Sequence, residues 1–323
     1  MADQVGTFSY HCHQVSHEQV RHGLLGALVI APRARDEGVL DQVALLHEYD
    51  AVSTVNGSAT PAVVTAEPGQ RVRLRVINTD NGLTPVWLGE TPYEVLAVDG
   101  TDLHSPDQVT GDAIEVPAGG RVDLGFVVPD GGVRADFGGT SSVSFGADPT
   151  DGAGNPQPDD VVDLLSYGAP ADVGFDPGSP DRRFDYRIDR RPGFLDGRPG
   201  MWWTINGHLF PDVPMFMVEE GDVVVFTIEN NSGETHPMHL HGHHAVVLSR
   251  DGKQASGSPW WVDSLEVRAG ETYEIALVAD NPGIWMDHCH NLPHAAQGLV
   301  AHLMYEGVTS SYRIGGTPDN EPE

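Results

Sequence analysis

The sequence predicts an all-β fold built from tandem sandwich domains. Short runs rich in Val, Leu and Ile, such as residues 71–78 and 222–230, are separated by Gly, Pro and other turn residues. Runs of this length and composition are typical of strands in an all-β protein. No long amphipathic helix is predicted. A chain of 323 residues, 39% of them hydrophobic, can form two or three domains with cores.

The chain contains an internal repeat, which predicts its domain organisation. Residues 56–78 and 206–230 share one layout, in which an Asn-Gly turn, a proline and a second glycine turn precede a strand that ends in Asn. Residues 114–132 likewise align with residues 265–283. The two earlier segments would belong to one β domain and the two later segments to a second, homologous β domain.

The repeat predicts a middle domain over residues 35–180 and a C-terminal domain over residues 181–310. Residues 1–34 are expected to be the closing strands of an earlier β domain, whose other strands would lie upstream of this chain. Strands of this kind cannot close a core alone, because their apolar faces and ladder groups need partners. Residues 148–160 and 311–323, rich in Gly, Pro and acidic residues, are predicted to form a flexible loop and a disordered tail.

The charge of the chain excludes one class of partner. Acidic residues outnumber basic residues 47 to 18, for a formal net charge of −29, and no basic stripe is present. Nucleic acid is therefore not an expected partner. The sequence has no apolar run long enough to span a membrane, and the first residues lack the basic and apolar regions of a signal peptide.

A His-Cys-His-x-x-x-His pattern occurs twice and contains both cysteines of the chain. One copy spans residues 11–17 and the other spans residues 288–294. Because successive side chains of a strand point to opposite faces, His288 and His290 would point one way and Cys289 the other. One strand could therefore serve two metal sites.

Histidines upstream of the second copy complete a metal-ligand set. A thiolate with two imidazoles and a weak or absent axial donor is the ligand set of type 1 copper. Residues 236–244 contain five histidines, and His236 supplies this set together with Cys289 and His294. Leu299, at the axial position, donates nothing and should raise the reduction potential. The other imidazoles would bind further copper on the opposite face, namely His239, His241, His288 and His290.

Zinc and a disulfide are the other interpretations of the cysteines. Structural zinc usually takes a closed tetrahedral set, and here the histidines that flank each cysteine would face away from it. A disulfide between Cys12 and Cys289 stays open as a further alternative. Since the first copy lacks a full partner set, Cys12 is expected to be an inert, buried residue.

Isolated histidines and the methionines are expected to be structural. Histidines outside the motifs, namely His47, His104, His208 and His302, are expected on the surface or in the core. The methionines form no cluster along the sequence, so the sequence does not indicate a Cu(I) substrate. Met215 and Met217 are expected to be core strand residues.

Two motifs of the chain resemble those of a known family. Residues 236–243, HPMHLHGH, and residues 288–299, HCHNLPHAAQGL, resemble the C-terminal copper motifs of the multicopper oxidases, a family that includes the laccases. The motifs occur in the family's order, about fifty residues apart. The resemblance implies tandem cupredoxin-like Greek-key β-sandwiches. It also implies a middle domain without copper ligands. There residues 84–89 replace the histidine-rich loop, and Trp87 aligns with His239 of the C-terminal domain.

The resemblance implies a role for each motif residue. His236, Cys289 and His294 match the type 1 ligands. His239 matches the type 2 ligand. The type 3 ligands are matched by residues from both ends of the chain, namely His241, His288, His290, His11 and His13. A further His-x-His pair of the family's trinuclear cluster would belong to the first domain, upstream of this chain.

The implied activity is that of a copper-dependent oxidoreductase of laccase type. Phenolic or metal-ion substrates would lose one electron at a time at the type 1 copper, and O2 would be reduced to water at the trinuclear cluster. The partners would be a small-molecule reducing substrate and O2, and the protein would be exported. Asp287, next to His288, is the candidate proton donor, although it would equally fit a solvated carboxylate at a strand end.

Two other functions fit the same residues. Because the first-domain His-x-His pair is missing from this chain, a copper-binding electron-transfer protein or an inactive fragment is the main alternative. A nitrite-reductase-like enzyme is a further alternative, but it would not need a histidine on both sides of Cys289.

Overall fold

The computed structural model describes most of the chain, namely residues 4–34, 36–138, 141–147 and 154–311. Strands account for nearly all regular structure, which confirms the all-β prediction. Within these ranges no helix is long and apolar enough to cross a membrane. Residues 148–153 of the predicted flexible loop and residues 312–323 of the predicted tail lie outside the described residues.

The first part of the chain folds into short strands and one single-turn helix. These elements are β1 (Gly6–His11), α1 (Ser16–Gln19), β2 (Leu25–Ile30), β3 (Val39–Tyr49), β4 (Val52–Val55), β5 (Ala62–Thr65), β6 (Arg71–Asn78), β7 (Thr84–Trp87), β8 (Tyr93–Val98), β9 (Thr101–Asp102), β10 (Gln108–Val109), β11 (Ile114–Val116), β12 (Arg121–Val127), β13 (Val133–Phe137) and β14 (Ser142–Gly146).

The second part repeats this pattern and adds a second short helix. Its elements are β15 (Arg182–Leu195), β16 (Arg198–Ile205), β17 (Met215–Val218), β18 (Val223–Asn230), β19 (His236–Leu240), β20 (Ala245–Arg250), β21 (Lys253–Gln254), β22 (Trp261–Val262), β23 (Ser264–Val267), β24 (Thr272–Val278), β25 (Ile284–Cys289), α2 (Leu292–Ala296) and β26 (Val300–Tyr305).

Two compact units make up the structure. The first contains residues 1–11 and 20–169, and the second contains residues 12–19 and 170–323. Strands β1 to β14 therefore fall in the first unit, and α1, α2 and β15 to β26 fall in the second. The division into four parts with boundaries after residues 34, 180 and 310 stays a prediction.

Apart from a two-stranded sheet of β1 and β2 in the first unit, both units have the same sheet topology. In the first unit one sheet has the order β10-β8-β12-β6-β3-β4, with β9 also on β8, and the other has the order β11-β7-β13-β14-β5. In the second unit β22 and β21 both pair with β20 in a sheet that continues β20-β24-β18-β15-β16, and the other sheet is β23-β19-β25-β26-β17. Each strand pair of the second unit therefore has a counterpart in the first unit whose strand numbers are lower by twelve. For example, the pair β25-β26 corresponds to the pair β13-β14. The sequence repeat is a repeat of topology.

An aromatic core joins the two sheets of the second unit. Phe216 of β17 lies 5.1 Å, between ring centroids, from both Phe184 and Phe226 of the opposite sheet. Tyr186 stacks on Phe216 at 5.6 Å. Fully burying a phenylalanine side chain stabilises a fold by roughly 1.5–3 kcal/mol, so this cluster fixes the scaffold on which β19 and β25 are carried.

Strand register shows that the histidine-bearing strand pair of the second unit has other residues at the equivalent positions of the first unit. There His239 of β19 pairs with His288 of β25. At the same place in the first unit Trp87 of β7 pairs with Asp136 of β13. Trp87 thus stands at the position equivalent to His239, as the sequence predicts, and the buried Phe137 stands where β25 has its cysteine. The first unit keeps the packing of this strand pair without its ligands.

Two methionines expected in the core lie on the surface. Met215 and Met217 are 58% and 36% exposed, whereas Phe216 and Val218, which alternate with them on β17, are buried. The alternation is visible in the sequence, but all four residues of this strand are apolar, so the pattern does not identify the set that faces the core. The prediction for Met215 and Met217 was therefore wrong.

A buried ion pair fixes β1 to the other strands of the first unit. Thr7 donates a hydrogen bond of 2.7 Å to the carboxylate of Asp123 and accepts one of 2.8 Å from Arg75. Arg75 also pairs with Asp123 at 2.8 Å, and both side chains are at most 4% exposed. The rest of the guanidinium binds Asp41. The charges are therefore paired within the core, as buried charges must be.

Candidate metal centres

Strand β25 presents its side chains on two faces. Cys289 lies opposite Met238 on the buried side of the sheet, and His288 lies opposite His239 on the other side. The rings of His288 and His290 stack with centroids 5.8 Å apart, so both imidazoles leave the same face. One strand therefore presents a thiol to one group of residues and imidazoles to another.

The first group, the thiol site, consists of His236, Cys289 and His294. The Nδ1 atoms of the two rings lie 3.1 Å apart. The Sγ of Cys289 lies 3.6 Å from Nδ1 of His236 and 3.8 Å from Nδ1 of His294. His236 opens β19, Cys289 ends β25, and the single turn of α2 returns His294 to the end of β25. Two adjacent strands and one helical turn thus bring the three donors together.

Three further residues enclose the thiol site. The side chain of Leu299 is fully buried, at the position that follows α2. The Oγ of Ser232 lies 2.8 Å from Nε2 of His236, the ring nitrogen that points away from the thiol. The ring of Trp203 lies 4.7 Å, between centroids, from those of both His236 and His294. The contacts of Ser232 and Trp203 hold the two rings in place.

A charged pair marks the more exposed edge of the thiol site. Glu234 Oε2 lies 3.7 Å from Nε2 of His294. Arg190 donates to Glu234 at 2.9 Å, and its guanidinium lies 4.4 Å above the ring of Trp203. The His294 side chain is 14% exposed and that of Glu234 is 47% exposed. His294 is therefore the donor of this site that lies nearest to solvent-accessible charge.

Burial keeps the thiol site neutral when no cation is bound. Burial, followed by the neighbouring His294 ring and Arg190, lowers the pKa of His236 to about 3. Burial also lowers the pKa of His294 and raises the pKa of the Cys289 thiol well above its ordinary value. Neutral imidazoles are the form that binds metal, and a bound cation stabilises the thiolate. The site is thus poised to take up a cation with release of the thiol proton.

The second group, the imidazole site, has His13, His241 and His288 at its centre. The Nε2 atoms of His241 and His288 lie 3.0 Å apart, and the ring centroid of His13 lies 4.6 Å from that of His241 and 5.6 Å from that of His288. The ring of His239 lies 4.6 Å from that of His241, and the ring of His290 lies 5.5 Å from that of His239. The sequence-predicted ligands from both motifs therefore lie side by side.

Asp263 orients the ring of His239. Its carbonyl oxygen lies 2.8 Å from Nδ1 of His239, so the Nε2 atom of that ring is left for the imidazole site. The carboxylate of Asp263 also lies 3.3 Å from Nε2 of His244. A carbonyl or carboxylate on the second ring nitrogen is the usual arrangement around a metal-binding histidine. Burial, followed by the surrounding imidazoles, lowers the pKa of His288 well below its ordinary value.

The N-terminal copy of the motif is divided between the two units. His13 reaches the imidazole site because residues 12–19 belong to the second unit. His11 ends β1 in the first unit, and its role as a type 3 ligand stays a prediction. Cys12 is partly exposed rather than buried. Within the part of the chain that the structure describes, Cys289 forms no disulfide bond, which excludes the disulfide alternative there.

The donor sets fit copper better than structural zinc. The thiol site offers one sulfur and two imidazole nitrogens within 4.8 Å of one another. Structural zinc takes four protein ligands, commonly with more than one cysteine. A thiolate with two imidazoles and no strong axial donor is the combination that copper takes in electron-transfer sites.

Asp287 occupies a different environment from the one expected of a strand-end carboxylate. It alternates with His288 along β25 and lines a cavity of about 30 Å³ inside the second unit, together with Tyr186. Burial raises the pKa of Asp287 to about 7. The carboxyl is therefore not a solvated group, and its role as a proton donor stays a prediction.

Several residues that shape the two sites carry no signal in the sequence. Trp203 and Arg190 come from β16 and β15, far from either motif along the chain. Asp263 lies between two short strands. Ser232 precedes His236 by four residues, and its type and spacing match the capping and turn roles that serine has in many loops. Only the fold identifies these contacts.

A family model matches most of the second unit of the chain. Residues 183–307 match the family model described as multicopper oxidase. The match covers β15 to β26 and includes both motifs of the second unit. Residues 183–307 of this chain therefore form a multicopper oxidase domain.

Sequence relatives of this chain extend the similarity beyond the second unit. The multicopper oxidase MmcO of Mycobacterium tuberculosis is 28% identical over 270 residues, which cover 78% of this chain and 50% of the relative. Laccase-1 of Melanocarpus albomyces is 26% identical over 346 residues, which cover 84% of this chain and 53% of that laccase. The chain spans about half the length of these relatives.

Solved structures of multicopper oxidases share the fold. The multicopper oxidase of Pseudomonas thermotolerans is 25% identical, with a TM-score of 0.71 over 94% of this chain and 77% of that protein. The laccase of Botrytis aclada is 20% identical, with a TM-score of 0.73 over 95% of this chain and 72% of that protein. These likenesses confirm the cupredoxin-type fold of the chain.

Proposed function

We propose that this chain is the part of a laccase-type copper oxidase that accepts electrons from a small reducing substrate and delivers them for the reduction of O2 to water. His236, Cys289 and His294 would hold type 1 copper, with Leu299 at the axial position. His239 would hold type 2 copper. The type 3 coppers would be held by His241, His288, His290, His13 and His11. Bound copper would supply the one-electron redox couple and the site of O2 reduction.

One observation carries the proposal, namely that the thiol site and the imidazole site share a tripeptide. Cys289 belongs to the thiol site, and the residues bonded to it on either side, His288 and His290, have their rings among the imidazoles. The two sites are therefore joined by covalent bonds through one residue of backbone. A storage site or a structural site has no need for such a connection, whereas an oxidase must connect its substrate side to its oxygen side.

Each residue around the thiol site has a proposed role. His294 would present its ring edge to substrate, since its Nε2 lies beside the exposed Glu234. Trp203, whose ring lies against both imidazoles, and the buried Leu299 would exclude water from the donors. Asp287 would hold a proton near the imidazole site, from the buried side of β25.

Phenols and reducing metal ions are the proposed substrates, and export from the cytoplasm is the proposed location. Both follow from membership of the family rather than from a feature of the described residues. The substrate would be small, because the edge of His294 is only 14% exposed.

Spectroscopy and oxygen uptake on the copper-loaded full chain test the proposal. We expect the intense blue absorption of a thiolate–copper bond, together with O2 uptake that depends on a phenolic substrate. Cys289→Ser should abolish both signals. The matched control is Cys12→Ser, which changes the only other cysteine and should retain both. Loss of the blue absorption in both variants, or in neither, would contradict the assignment of the thiol site.

A copper-binding electron-transfer protein is the second candidate. His11, one of the six matched cluster histidines, ends β1 in the first unit, whereas the other five lie in the second unit. Under this alternative the loaded chain would show the blue absorption and exchange electrons with a reductant without taking up O2. Blue absorption with substrate-dependent O2 uptake would exclude it.

A further inference from the structure

A cluster of methionines lies on the outward face of the sheet that carries the imidazole site. In strand order, Met215 and Met217 lie on β17, His302 and Met304 on β26, and Met286 on β25. We call these five residues the methionine face. They come from three separate stretches of the sequence, which is why no cluster is visible along the chain.

Strand register brings the members of the methionine face side by side. Met215 pairs with His302 across β17 and β26, and His302 pairs with Met286 across β26 and β25. Met217 pairs with Met304 in the next row. Paired residues of neighbouring strands project from the same side of a sheet, with Cβ atoms about 4.5–5.5 Å apart. His302 is therefore flanked on both sides by thioether side chains.

The imidazole of His302 has an unsatisfied nitrogen. Its Nδ1 atom is buried and has no hydrogen-bond partner among the described residues. A buried polar atom without a partner destabilises the fold, so such an atom calls for a partner that the protein alone does not supply. A cation bound between the flanking side chains would satisfy it.

The exposure of the methionines is unusual for side chains that serve packing alone. Met215 is 58% exposed and Met217 is 36% exposed, while the other face of β17 is buried in the aromatic core. Methionine used as a core filler would be buried. The methionine face therefore offers thioether sulfurs at the surface.

The first unit shows that the fold does not require these residue types. Its equivalent row consists of Val63, Ser144 and Arg134, which pair across β5, β14 and β13 in the register that relates Met215, His302 and Met286. None of the three is a soft ligand. The same sheet position thus tolerates an aliphatic, a hydroxyl and a charged side chain, and the soft donors of the second unit are not demanded by topology.

We propose that Met215, His302 and Met286 form a binding site for a soft monovalent cation, Cu(I), with Met217 and Met304 as neighbouring thioether donors. Thioethers and imidazole are the protein ligands that select Cu(I) over the harder divalent ions. The site is separate from the thiol site and does not depend on the proposed oxidase activity. Its chemistry would make it a place where Cu(I) is held at the surface of the second unit.

The proposed Cu(I) site borders the imidazole site, so the variants that test it must leave the imidazole site unchanged. The backbone N–H of His241 donates to the carbonyl of Met286 at 3.0 Å, so Met286 is next to a proposed copper ligand. His302 lies one strand further from that ligand, and Met215 lies two strands further. Substitutions at Met215 and His302 are therefore the ones that leave the imidazole site in place.

Silver titration of the full metal-free chain, with 13C-labelled methionine methyl groups, tests the proposal. Ag(I) is a redox-inert substitute for Cu(I). We expect the methyl signals of Met215 and Met286 to shift together and to saturate, while that of Met201, which is 50% exposed on β16, stays in place. His302→Gln and Met215→Leu should each raise the Ag(I) concentration at half saturation by at least tenfold. Met201→Leu is the matched control and should leave it unchanged.

Two results would overturn the proposal. One is an Ag(I) titration in which the Met215 and Met286 signals do not move although silver is bound by the chain's cysteines and histidines. The other is a shift of Met201 equal to theirs, which would indicate unspecific thioether binding. The blue absorption of copper-loaded His302→Gln should equal that of the unchanged chain, so that a failure of the oxidase proposal and a failure of the Cu(I) site are read from different signals.

Discussion

The Oγ of Ser232 lies 2.8 Å from Nε2 of His236, while Nδ1 of the same ring faces the Cys289 thiol. The hydroxyl of Ser232 also contacts Oδ1 of Asn230 at 2.7 Å, so the serine can donate to Asn230 and accept from the imidazole. This contact fixes both the orientation of the ring and the nitrogen that carries its proton.

Ser232→Ala should weaken copper binding at the thiol site. The variant removes the partner of the outer ring nitrogen, and the loss of such a partner typically costs 10–100-fold, roughly, in metal affinity. Competition with a chelator, followed by the blue absorption, measures the change. Ser256→Ala, at an exposed serine of the same unit, is the control and should bind copper as the unchanged chain does. Equal affinities for the two variants would exclude an orienting role for Ser232.

Leu299→Met should lower the reduction potential of the copper in the thiol site. A thioether at the axial position adds a donor that favours the oxidised ion. We expect at least a tenfold change in the equilibrium constant for reduction, which is about 59 mV for one electron. A redox titration of the blue absorption gives the value. Leu292→Met places methionine at another buried position of the same segment and should leave the potential as it is.

Asp123→Asn should destabilise the first unit by about 3 kcal/mol, because it leaves the buried guanidinium of Arg75 with only part of its compensating charge. Urea unfolding followed by circular dichroism measures the loss. The control is Asp36→Asn, which breaks the exposed pair with Arg71, whose side chains are 57% and 61% exposed. No measurable change is expected there, since exposed ion pairs contribute little. If both variants unfold at the same urea concentration, the buried pair does not stabilise β1.

Stability should fall at alkaline pH, and Tyr167 should contribute to the fall. Burial raises the pKa of Tyr167 to about 12, from an ordinary value of 10.0. The folded chain thus keeps the phenol proton to a higher pH than the unfolded chain does, and the free energy of unfolding decreases as the pH rises from about 10 to 12. In Tyr167→Phe this part of the decrease should disappear.

At neutral pH the same variant should be less stable, by about 1–3 kcal/mol, because the N–H of Val95 donates to the Tyr167 hydroxyl at 2.8 Å and would lose its acceptor. The stabilities of Tyr167→Phe and of the unchanged chain should therefore approach each other above pH 10. Tyr10→Phe, at a tyrosine that is 60% exposed, should follow the unchanged chain throughout. A constant difference at all pH values would show that the phenol does not titrate as described.

Much of the fold and of both sites follows from the sequence because it depends on periodicity. Alignment of the two repeats places Trp87 at the position equivalent to His239. Strand alternation sends the side chains of Cys289 and His288 to opposite faces of β25. These patterns are local in the sequence, so they can be recognised without knowing how the strands pack.

The rest depends on which distant segments meet. Nothing local indicates that Trp203 packs on both rings of the thiol site, or that residues 12–19 join the second unit while His11 stays in the first. The error at Met215 has the same origin, since an all-apolar strand does not reveal which face is covered. The neighbours of His302 likewise appear only through register between strands that are far apart in the chain.

The two-faced strand β25 has a consequence for insertions and deletions. Alternation sends Cys289 to one side and His288 and His290 to the other, so a slip of a single residue in its pairing with β19 would exchange the two sides. The thiol would then enter the group of imidazoles and an imidazole would enter the hydrophobic interior. Length changes in the turn between β24 and β25 are thus tolerable only if this register is preserved. The spacing from Gly283 to His288 should vary less among functional copies of this gene than the residue types within it.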